Sequence, residues 1–279
     1  MAALREAMPA STTDDVVRDH YRTEAAAHHL APTSTMSDLT TRELEVEAIV
    51  ACLSWALTDG GRGQQVLEVG CGNGYLLSEV RSRFPHVSLT GVDFSVDMVE
   101  LARTRGLDRC RVAEGDVRRL AFDGAAFDVA ISERCVINLL EEHDQEAALR
   151  ELHRVVRPGG HLILIEAFTD GAANLNQARA ELGLEPNAPP YHNRWMDKER
   201  VLELLSELFE AVPADGDGSL PPPNFLSTHY FVSRVLYPAV TRREVLYNTE
   251  FVKFFRTLAP QGNYSPIQLL FLRRPVPDG

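Results

Sequence analysis

Long apolar runs, paired cysteines and lysines are all scarce in this chain. No stretch approaches the roughly 20 consecutive apolar residues that a membrane-spanning helix needs, and residues 1–15 lack the apolar core of a signal peptide. The four cysteines are scattered without a CxxC pair, which argues against a zinc site and against a disulfide framework. These absences predict a soluble cytoplasmic protein with no membrane partner.

Positive charge is scarce as well. The formal net charge is −12 over 279 residues, and almost all basic residues are arginines, Lys198 and Lys253 being the lysines. Binding along a nucleic-acid backbone needs a concentrated positive field, so this balance argues against a nucleic-acid partner. Hydrophobic residues make up 44% of the chain and charged residues 24%, which is typical of a globular protein. We therefore expect a small-molecule partner.

Helical patterns come first, and a regular alternation of strands and helices follows. The second predicted helix begins near Thr40, where Thr40-Thr41-Arg42-Glu43 has the spacing of a capping box. From residue 65 onward, short apolar segments alternate with helical ones, which predicts βαβ units and a parallel sheet over residues 62–168. The predicted strands in this region are QQVLEV, HVSLTGVD, DRCRVAEGD, FDVAIS and HLILIEAF.

The pattern becomes irregular after residue 168. MDKERVLELLSELF is an amphipathic helix, DGDGSLPPPN is a linker or exposed loop, and IQLLFLRR near the end is a strand. Between the last two lies an aromatic-rich segment with the pattern of two helices. The resulting division is a helical cap (1–61), a core (62–213), a helical and aromatic insert (214–262) and a final strand with its tail (263–279).

A glycine-rich turn, VLEVGCGNGYLL, joins the first strand of the core to its first helix. Gly70, Gly72 and Gly74 stand where bare backbone N–H groups and a helix N-terminus can meet a ligand. The dinucleotide fingerprint is GxGxxG, whereas the spacing here is GxGxG, preceded by Glu68 and followed by Tyr75. The turn therefore predicts a nucleotide-like ligand without a pyrophosphate.

Two acidic residues follow where a nucleoside would need them. Asp93 ends the second strand, where a carboxylate can accept hydrogen bonds from both ribose hydroxyls. Asp116 follows the third strand and can accept a hydrogen bond from an adenine amino group. With Glu68 they predict an anionic pocket, which favours a cationic cofactor over one that carries two phosphates.

Five consecutive motifs together resemble those of the class I S-adenosylmethionine-dependent methyltransferases, in particular bacterial enzymes that act on small molecules. They are ExGxGxG, GVDFSVDMVELAR, EGDVRRLAF, FDVAISER and LHRVVRPGGHLILIE. The resemblance covers roughly residues 64–168. It implies an α/β fold with a seven-stranded, mostly parallel Rossmann-like sheet, a helical cap before the first strand and an inserted helical segment before the last. It also implies S-adenosylmethionine as cofactor and S-adenosylhomocysteine as product.

The same resemblance assigns roles around the cofactor. Gly70 and Gly72 are expected beside its methionine end, together with Ser132, which ends the fourth strand. Tyr21, Met36 and Arg42 of the cap can cover the cofactor or meet its carboxylate. The complete set of predicted cofactor-binding residues is Glu68, Gly70, Gly72, Gly74, Asp93, Phe94, Asp116, Val117 and Ser132.

The group that accepts the methyl determines which further chemistry is needed. Methyl transfer is an in-line displacement that depends on alignment, and a hydroxyl or amine acceptor must also lose a proton to a general base, whereas a carboxylate needs only orientation. His192, in the loop PPYHNRW, is the predicted base. The other predicted catalytic residues are Glu133, in the segment that follows the fourth strand, and Glu166, at the carboxyl end of the fifth.

The residues expected to contact the acceptor lie in three segments that carry polar and aromatic side chains. For the segment SERCVINL, a cluster that only stabilises its own loop is the alternative. No histidine pair has metal-ligand spacing and the acidic trio of metal-dependent relatives is not evident, so no metal is predicted. The predicted substrate-binding residues are Arg134, Asn138, Tyr191, Asn193, Arg194, His229 and Tyr230.

The sequence thus predicts transfer of a methyl group to an oxygen, nitrogen or carboxylate of a sugar-like or specialised small molecule. A peptide or a carrier-bound intermediate is an alternative acceptor. An aminopropyl transferase and an NAD(P)-dependent oxidoreductase are the alternatives from other classes; the GxGxG spacing and the acidic pocket argue against the latter. The insert either builds the acceptor pocket or forms a dimer surface, so both a monomer and a homodimer fit the sequence.

Overall fold

The structure of the protein, a computed structural model, describes residues 12–34, 36–57, 61–213 and 219–277. The start of the predicted cap and the predicted boundary at residue 214 lie outside this part of the chain. The strands are β1 (Gln65–Val69), β2 (Ser88–Asp93), β3 (Cys110–Glu114), β4 (Phe127–Glu133), β5 (Val156–Ala167), β6 (Glu210–Ala211) and β7 (Ile267–Arg273).

Helices flank this sheet and also form the cap and most of the insert. They are α1 (Thr12–His28), α2 (Leu39–Ala56), α3 (Tyr75–Arg83), α4 (Val96–Thr104), α5 (Glu142–Val155), α6 (Thr169–Glu181), α7 (Lys198–Leu208), α8 (Ser227–Phe231), α9 (Tyr237–Thr241) and α10 (Glu250–Phe254). A π-helical segment, Val232–Leu236, joins α8 to α9. None of the described helices is both long and apolar enough to span a membrane.

The seven strands form one sheet in the order β3-β2-β1-β4-β5-β7-β6. Strands β1 to β5 are parallel to one another, and β7 runs antiparallel to both β5 and β6. The predicted seven-stranded, mostly parallel sheet is therefore confirmed. The strand order reverses between β1 and β4, and ligands of open α/β sheets bind at such a switch point, beyond the carboxyl ends of the strands.

The central strands carry continuous apolar runs because helices cover both faces of the sheet. Leu162, Ile163, Leu164 and Ile165 of β5 are fully buried. Strand β6 left no signal in the sequence, since its two residues are both exposed and pair only with the end of β7.

The start of α2 differs from the prediction. Asp38, two residues before the predicted cap at Thr40, is the N-cap, and its side chain accepts a hydrogen bond from the Thr41 backbone amide at 3.0 Å. Asp38 is buried, because the π-helical segment packs over it and Arg234 pairs with its carboxylate at 3.0 Å. The helix therefore begins where a distant part of the chain contacts it, which a local capping pattern does not show.

Candidate functional site

The glycine turn has the backbone conformation that its spacing predicts. Gly70, Gly72 and Gly74 have φ angles of 66°, 50° and 74°, in the left-handed region that favours glycine. At Gly70 a Cβ atom would also lie 2.7 Å from the Cβ of Cys135, so β1 and the segment after β4 approach closely here. The turn thus brings bare backbone to the carboxyl edge of the sheet.

A cavity of roughly 1040 Å³ opens at this edge and is covered by α1. Most of the predicted cofactor-binding residues line it, which brings together groups from β1, the glycine turn, the end of β2 and the loop after β3. Gly74 and Ser132 do not line it: Gly74 lets the start of α3 pack against Ala102 of α4, and Ser132 is fully buried. The predicted cofactor-binding residues that line the cavity are Glu68, Gly70, Gly72, Asp93, Phe94, Asp116 and Val117.

Asp93 is held in place by backbone amides. Its carboxylate accepts hydrogen bonds from Gly72 N at 2.7 Å and from Ser95 N at 2.8 Å. Burial raises the pKa of Asp93, and these amide donors oppose that rise by favouring the charged form. The carboxylate therefore ties the glycine turn to the start of α4 and is already oriented at the edge of the cavity.

Glu68 is buried beneath the glycine turn. Its Oε2 atom has no hydrogen-bond partner among the described residues, although the side chain lines the cavity. Burial, with a smaller effect of the nearby Glu133 carboxylate, raises the pKa of Glu68 well above its usual range. Glu68 therefore offers a ligand an unsatisfied buried polar group in the wall of the cavity.

The charge of the cavity differs from the predicted anionic pocket. Asp116 pairs with Arg118 at 2.6 Å. Arg118 also pairs with Asp14 of α1 at 2.8 Å and with Asp144 of α5 at 2.9 Å. Arg118 therefore compensates part of the negative charge that the sequence predicted for this pocket, and it ties α1 to the core. No pattern in the sequence indicated this network.

Helix α1 forms the roof of the cavity. Asp14, Val17, Arg18 and Tyr21 line it from one face of the helix, as their three- and four-residue spacing allows. The guanidinium of Arg18 lies 4.0 Å from the centre of the Phe94 ring, a cation–π contact. Tyr21 lies where the sequence predicted it, whereas Arg18 was missed because its partner is 76 residues away along the chain.

A second cavity, of roughly 1620 Å³, adjoins the first. Tyr21 and Arg134 line both, so the two cavities meet at these side chains. The insert contributes to its wall, which favours the acceptor-pocket interpretation of this segment over the dimer surface. The predicted residues that line the second cavity are Arg134, His192, Asn193 and Tyr230, and other lining residues are Met36, Trp195, Arg234 and Tyr247.

A short hydrogen-bond chain crosses the boundary between the cavities. Asn138, which lines the first cavity, accepts hydrogen bonds through Oδ1 from the Tyr21 hydroxyl at 3.1 Å and from the Asn193 side-chain amide at 2.7 Å. The roof helix, the segment after β4 and the loop before α7 are joined in this way. Arg134 adjoins this chain with a φ of 52°, a conformation uncommon for a residue other than glycine.

Glu166 lies outside both cavities and is fully buried. Its carboxylate accepts hydrogen bonds from the Ser132 hydroxyl at 2.6 Å and from the backbone amides of Cys135, Val136 and Ile137 at 3.0, 2.9 and 3.2 Å. The prediction of a catalytic Glu166 does not fit this position. The residue instead holds the segment after β4, and Ser132 contacts Glu166 rather than the cavity.

We expect Glu166→Gln to lower the free energy of unfolding by about 2 kcal/mol, because an amide cannot accept all four hydrogen bonds. Its NH₂ group would face a backbone N–H. Urea denaturation measures the change, with the exposed Glu181→Gln as the matched control. A loss as small as that of the control would contradict this structural role.

Three predicted substrate-binding residues lie outside both cavity linings. His229 is buried, and its Nε2 atom lies 2.9 Å from the carboxylate of Asp38, which makes it part of the contact between α8 and α2. Tyr191 is 70% exposed, and its hydroxyl lies 3.0 Å from Nδ1 of His20. Arg194 pairs with Glu142 of α5 at 3.8 Å. These positions do not support direct contact with an acceptor.

His192 stacks on His20 of the roof helix, with ring centres 3.6 Å apart. Burial lowers the pKa of His192 to about 4, and its Nδ1 atom has no hydrogen-bond partner in the described part of the chain. The ring is therefore neutral at pH 7 and is a weak base, since an effective general base has a pKa close to the working pH. His192 is better suited to accept or donate a hydrogen bond in the second cavity.

No group of three or more histidine, cysteine, aspartate or glutamate side chains could hold a metal ion within residues 12–34, 36–57, 61–213 and 219–277.

Comparison with known proteins assigns the central part of the chain. The methyltransferase domain family matches residues 66–160. A demethylmenaquinone methyltransferase from Deinococcus radiodurans is 35% identical over 106 residues, which are 37% of this chain and 43% of that protein. A malonyl-[acyl-carrier protein] O-methyltransferase from Priestia megaterium is 30% identical over 151 residues, or 52% of each chain. The match therefore spans about half the length of these curated relatives.

A solved structure extends the likeness of the fold to most of the chain. The N-methyltransferase NodS from Bradyrhizobium japonicum, in complex with S-adenosylhomocysteine, superposes with a TM-score of 0.55 at 16% identity, covering 93% of this chain and 99% of that one. Residues 66–160 run from β1 into β5 and contain the glycine turn, Asp93 and Asp116. Residues 66–160 therefore match the methyltransferase domain family, and their motifs and strand order are similar to those of the class I S-adenosylmethionine-dependent methyltransferases.

Proposed function

We propose that this protein transfers the methyl group of S-adenosylmethionine to a small-molecule acceptor, with the cofactor in the first cavity and the acceptor in the second. The observation that carries the proposal is the meeting of the two cavities at Tyr21 and Arg134. The first cavity contains the glycine turn and Asp93, which are the features expected to bind the cofactor. The second cavity adjoins it, so an acceptor bound there can reach the methyl group of the cofactor.

The residues of the first cavity fit this cofactor. The cofactor supplies an electrophilic methyl group on a sulfonium. Asp93 is oriented to accept hydrogen bonds from ribose hydroxyls, and Phe94 offers a ring face beside it. A Cβ atom on Gly72 would meet no atom within 4 Å, so the cavity stays open along the turn. The unpartnered Glu68 oxygen gives the polar end of the cofactor a buried contact.

The boundary residues orient the acceptor and exclude water. Burial raises the pKa of Tyr21 far above its usual range, which keeps the phenol neutral, and Asn138 fixes its position. Ordering of both groups before binding lowers the entropic cost of aligning the acceptor with the transferred methyl. Helix α1, tied to the core by Arg118, covers the first cavity from solvent.

The second cavity favours an acceptor that combines a flat ring or apolar part with a polar or anionic group. Trp195, Tyr230 and Tyr247 supply aromatic walls, and Arg134 places a positive charge where the two cavities meet. His192 adds a neutral hydrogen-bonding group. A carrier-bound acyl group is the second candidate acceptor, because a relative that matches 52% of this chain is named as a malonyl-[acyl-carrier protein] O-methyltransferase.

The cofactor assignment is tested by thermal unfolding in the presence of S-adenosylmethionine, S-adenosylhomocysteine, NAD and NADP. A ligand present at 100 times its dissociation constant adds about 2.7 kcal/mol of stability. We expect the melting temperature to rise with the first two ligands and to stay unchanged with NAD and NADP. Stabilisation by NAD or NADP alone, or by none of the four, would overturn the proposal.

The acceptor is identified by transfer of a labelled methyl group from S-adenosylmethionine to a panel of small aromatic hydroxyl, carboxylate and amine compounds and to malonyl-loaded acyl-carrier protein. Label in a small molecule supports the proposed acceptor class. Label found only in the carrier-bound compound would replace it by the second candidate.

A further inference from the structure

Three carboxyl groups and two guanidinium groups meet beside the first cavity. Arg42 and Glu45 come from α2, Glu68 from β1, and Glu133 and Arg134 from the end of β4. Relative exposure of the Arg42 and Glu133 side chains is 8% and 5%, and that of Glu45 is 0%. Such a cluster is costly to bury unless its charges balance, so its protonation state depends on every member.

Each arginine of the cluster pairs with one glutamate. Arg42 donates through Nη1 to both carboxylate oxygens of Glu133 at 3.2 Å, and Nε of Arg134 lies 3.2 Å from Oε1 of Glu45. Neither carboxylate oxygen of Glu45 has a hydrogen-bond partner in the described part of the chain, and Glu45 and Glu133 each affect the pKa of the other. An ionised carboxylate that is buried without hydrogen-bond donors is costly, which favours a proton on one of the two.

The surroundings indicate which carboxyl carries that proton. Burial raises the pKa of Glu45 to about 8, with a further contribution from Glu133, although Arg134 opposes the rise. Burial acts on Glu133 in the same direction, but Arg42 and Arg134 together hold its pKa below its usual value. Tyr230 of α8 also faces the cluster, and burial raises its pKa to about 12, so it stays neutral.

We propose that the Glu45–Glu133 pair holds one proton in the cofactor-free protein and releases it to solvent when S-adenosylmethionine binds, but keeps it when S-adenosylhomocysteine binds. This inference rests on the proposed function. Glu133 lines the first cavity and Glu45 does not, so Glu133 meets the charge of the cofactor and Glu45 is a positioning residue that acts through it.

The physical reason is the charge difference between the two forms of the cofactor. The sulfonium gives S-adenosylmethionine one positive charge more than its thioether product. A cation beside a buried carboxyl pair favours the fully ionised state and lowers the pKa at which the shared proton is lost. After methyl transfer this charge is gone, so the protonated pair is again favoured. The pair therefore distinguishes the cofactor from its product by charge.

The affinity for S-adenosylmethionine is expected to depend on pH. At a pH below the raised pKa of Glu45 the cofactor-free pair is protonated, so binding of S-adenosylmethionine releases a proton and becomes tighter as the pH rises. The affinity should increase by up to about tenfold per pH unit below this pKa and level off above it. The affinity for S-adenosylhomocysteine should stay nearly constant over the same range.

Calorimetric titration of the full chain at pH 7, in phosphate and in Tris, measures the number of protons released, because these buffers differ in ionisation enthalpy. We expect about one proton per S-adenosylmethionine and none per S-adenosylhomocysteine. Equal proton release with both ligands, or none with S-adenosylmethionine, overturns the inference alone. Absence of any binding of S-adenosylmethionine overturns the proposed function and this inference with it.

Glu45→Gln separates the pair from other titrating groups. The amide keeps the size of the side chain and can donate to Glu133, but it cannot ionise. Proton release and the pH dependence of S-adenosylmethionine binding should both disappear, while the affinity for S-adenosylhomocysteine stays within about twofold. Glu47→Gln, on the exposed face of the same helix, should behave as the wild type. Unchanged proton release in a folded Glu45→Gln protein would contradict the proposal, and if that variant does not fold, the wild-type comparison of the two ligands decides.

Discussion

Asp93→Ala is expected to weaken the binding of S-adenosylmethionine by at least about 100-fold, because hydrogen bonds to a charged group contribute about 1.5–3 kcal/mol each. The substitution removes the acceptor proposed for the ribose hydroxyls. It also removes the carboxylate that holds Gly72 N at 2.7 Å and Ser95 N at 2.8 Å, so the glycine turn loses its fixed orientation. Calorimetric titration of the ligand measures the dissociation constant.

A matched control for this substitution lies on the next helix. Asp97 is exposed in the first turn of α4, and Asp97→Ala should leave the dissociation constant within about twofold of the wild type. The melting temperature without ligand shows whether each variant is folded. A folded Asp93→Ala protein with the wild-type dissociation constant would refute the ribose assignment.

Asp38→Ala is expected to lower the free energy of unfolding by about 3–5 kcal/mol, which is typical of removing one partner from a buried ion pair. Asp38 pairs with Arg234 at 3.0 Å and with His229 at 2.9 Å, and it caps α2 through the Thr41 amide. Without it, Arg234 stays buried as an uncompensated cation. Urea denaturation measures the loss, and the exposed Asp19→Ala is the control, with an expected effect below about 0.5 kcal/mol.

The same residue predicts how stability changes with acid. Burial alone would raise the pKa of Asp38, but His229, Arg234 and the Thr41 amide together hold it well below its usual value. A carboxyl with a lowered pKa contributes stability that is complete above its unfolded pKa of about 3.9 and is lost as the pH falls toward the folded value. The loss of stability below about pH 4 should therefore be shallower in Asp38→Ala than in the wild type. Identical acid profiles would show that Asp38 is not the group that titrates.

The sequence determined the features that depend on local chemistry. Alternating apolar strands and helices of the right length fix β1 to β5, since only a parallel sheet covered on both faces buries such runs. The left-handed conformations of Gly70 and Gly72 follow from their spacing in the turn. The position of Asp93 could be predicted because it ends β2, and parallel neighbouring strands end at the same edge of the sheet. The glycine turn after β1 lies at that edge.

Other residues were recognised by type but assigned the wrong role. Glu166 and His229 are polar groups near the functional edge, which made them candidates for catalysis and binding. The structure buries both and surrounds them with partners, so that one holds the segment after β4 and the other packs against the N-cap of α2. A sequence shows that a side chain can titrate, but not whether its hydrogen-bonding capacity is already used.

What the sequence by itself determined is therefore the resemblance to methyltransferases, the parallel part of the sheet and the edge of the sheet at which a ligand is expected. Only the tertiary structure decided which charges are compensated, through Arg118 at Asp116 and Arg234 at Asp38, and where a second cavity meets the first. The same holds for the pairing of Glu45 with Glu133, whose positions are 88 residues apart in the chain. The physical reason is that strand and turn preferences act over a few residues, whereas burial and ion pairing depend on side chains that meet only after folding.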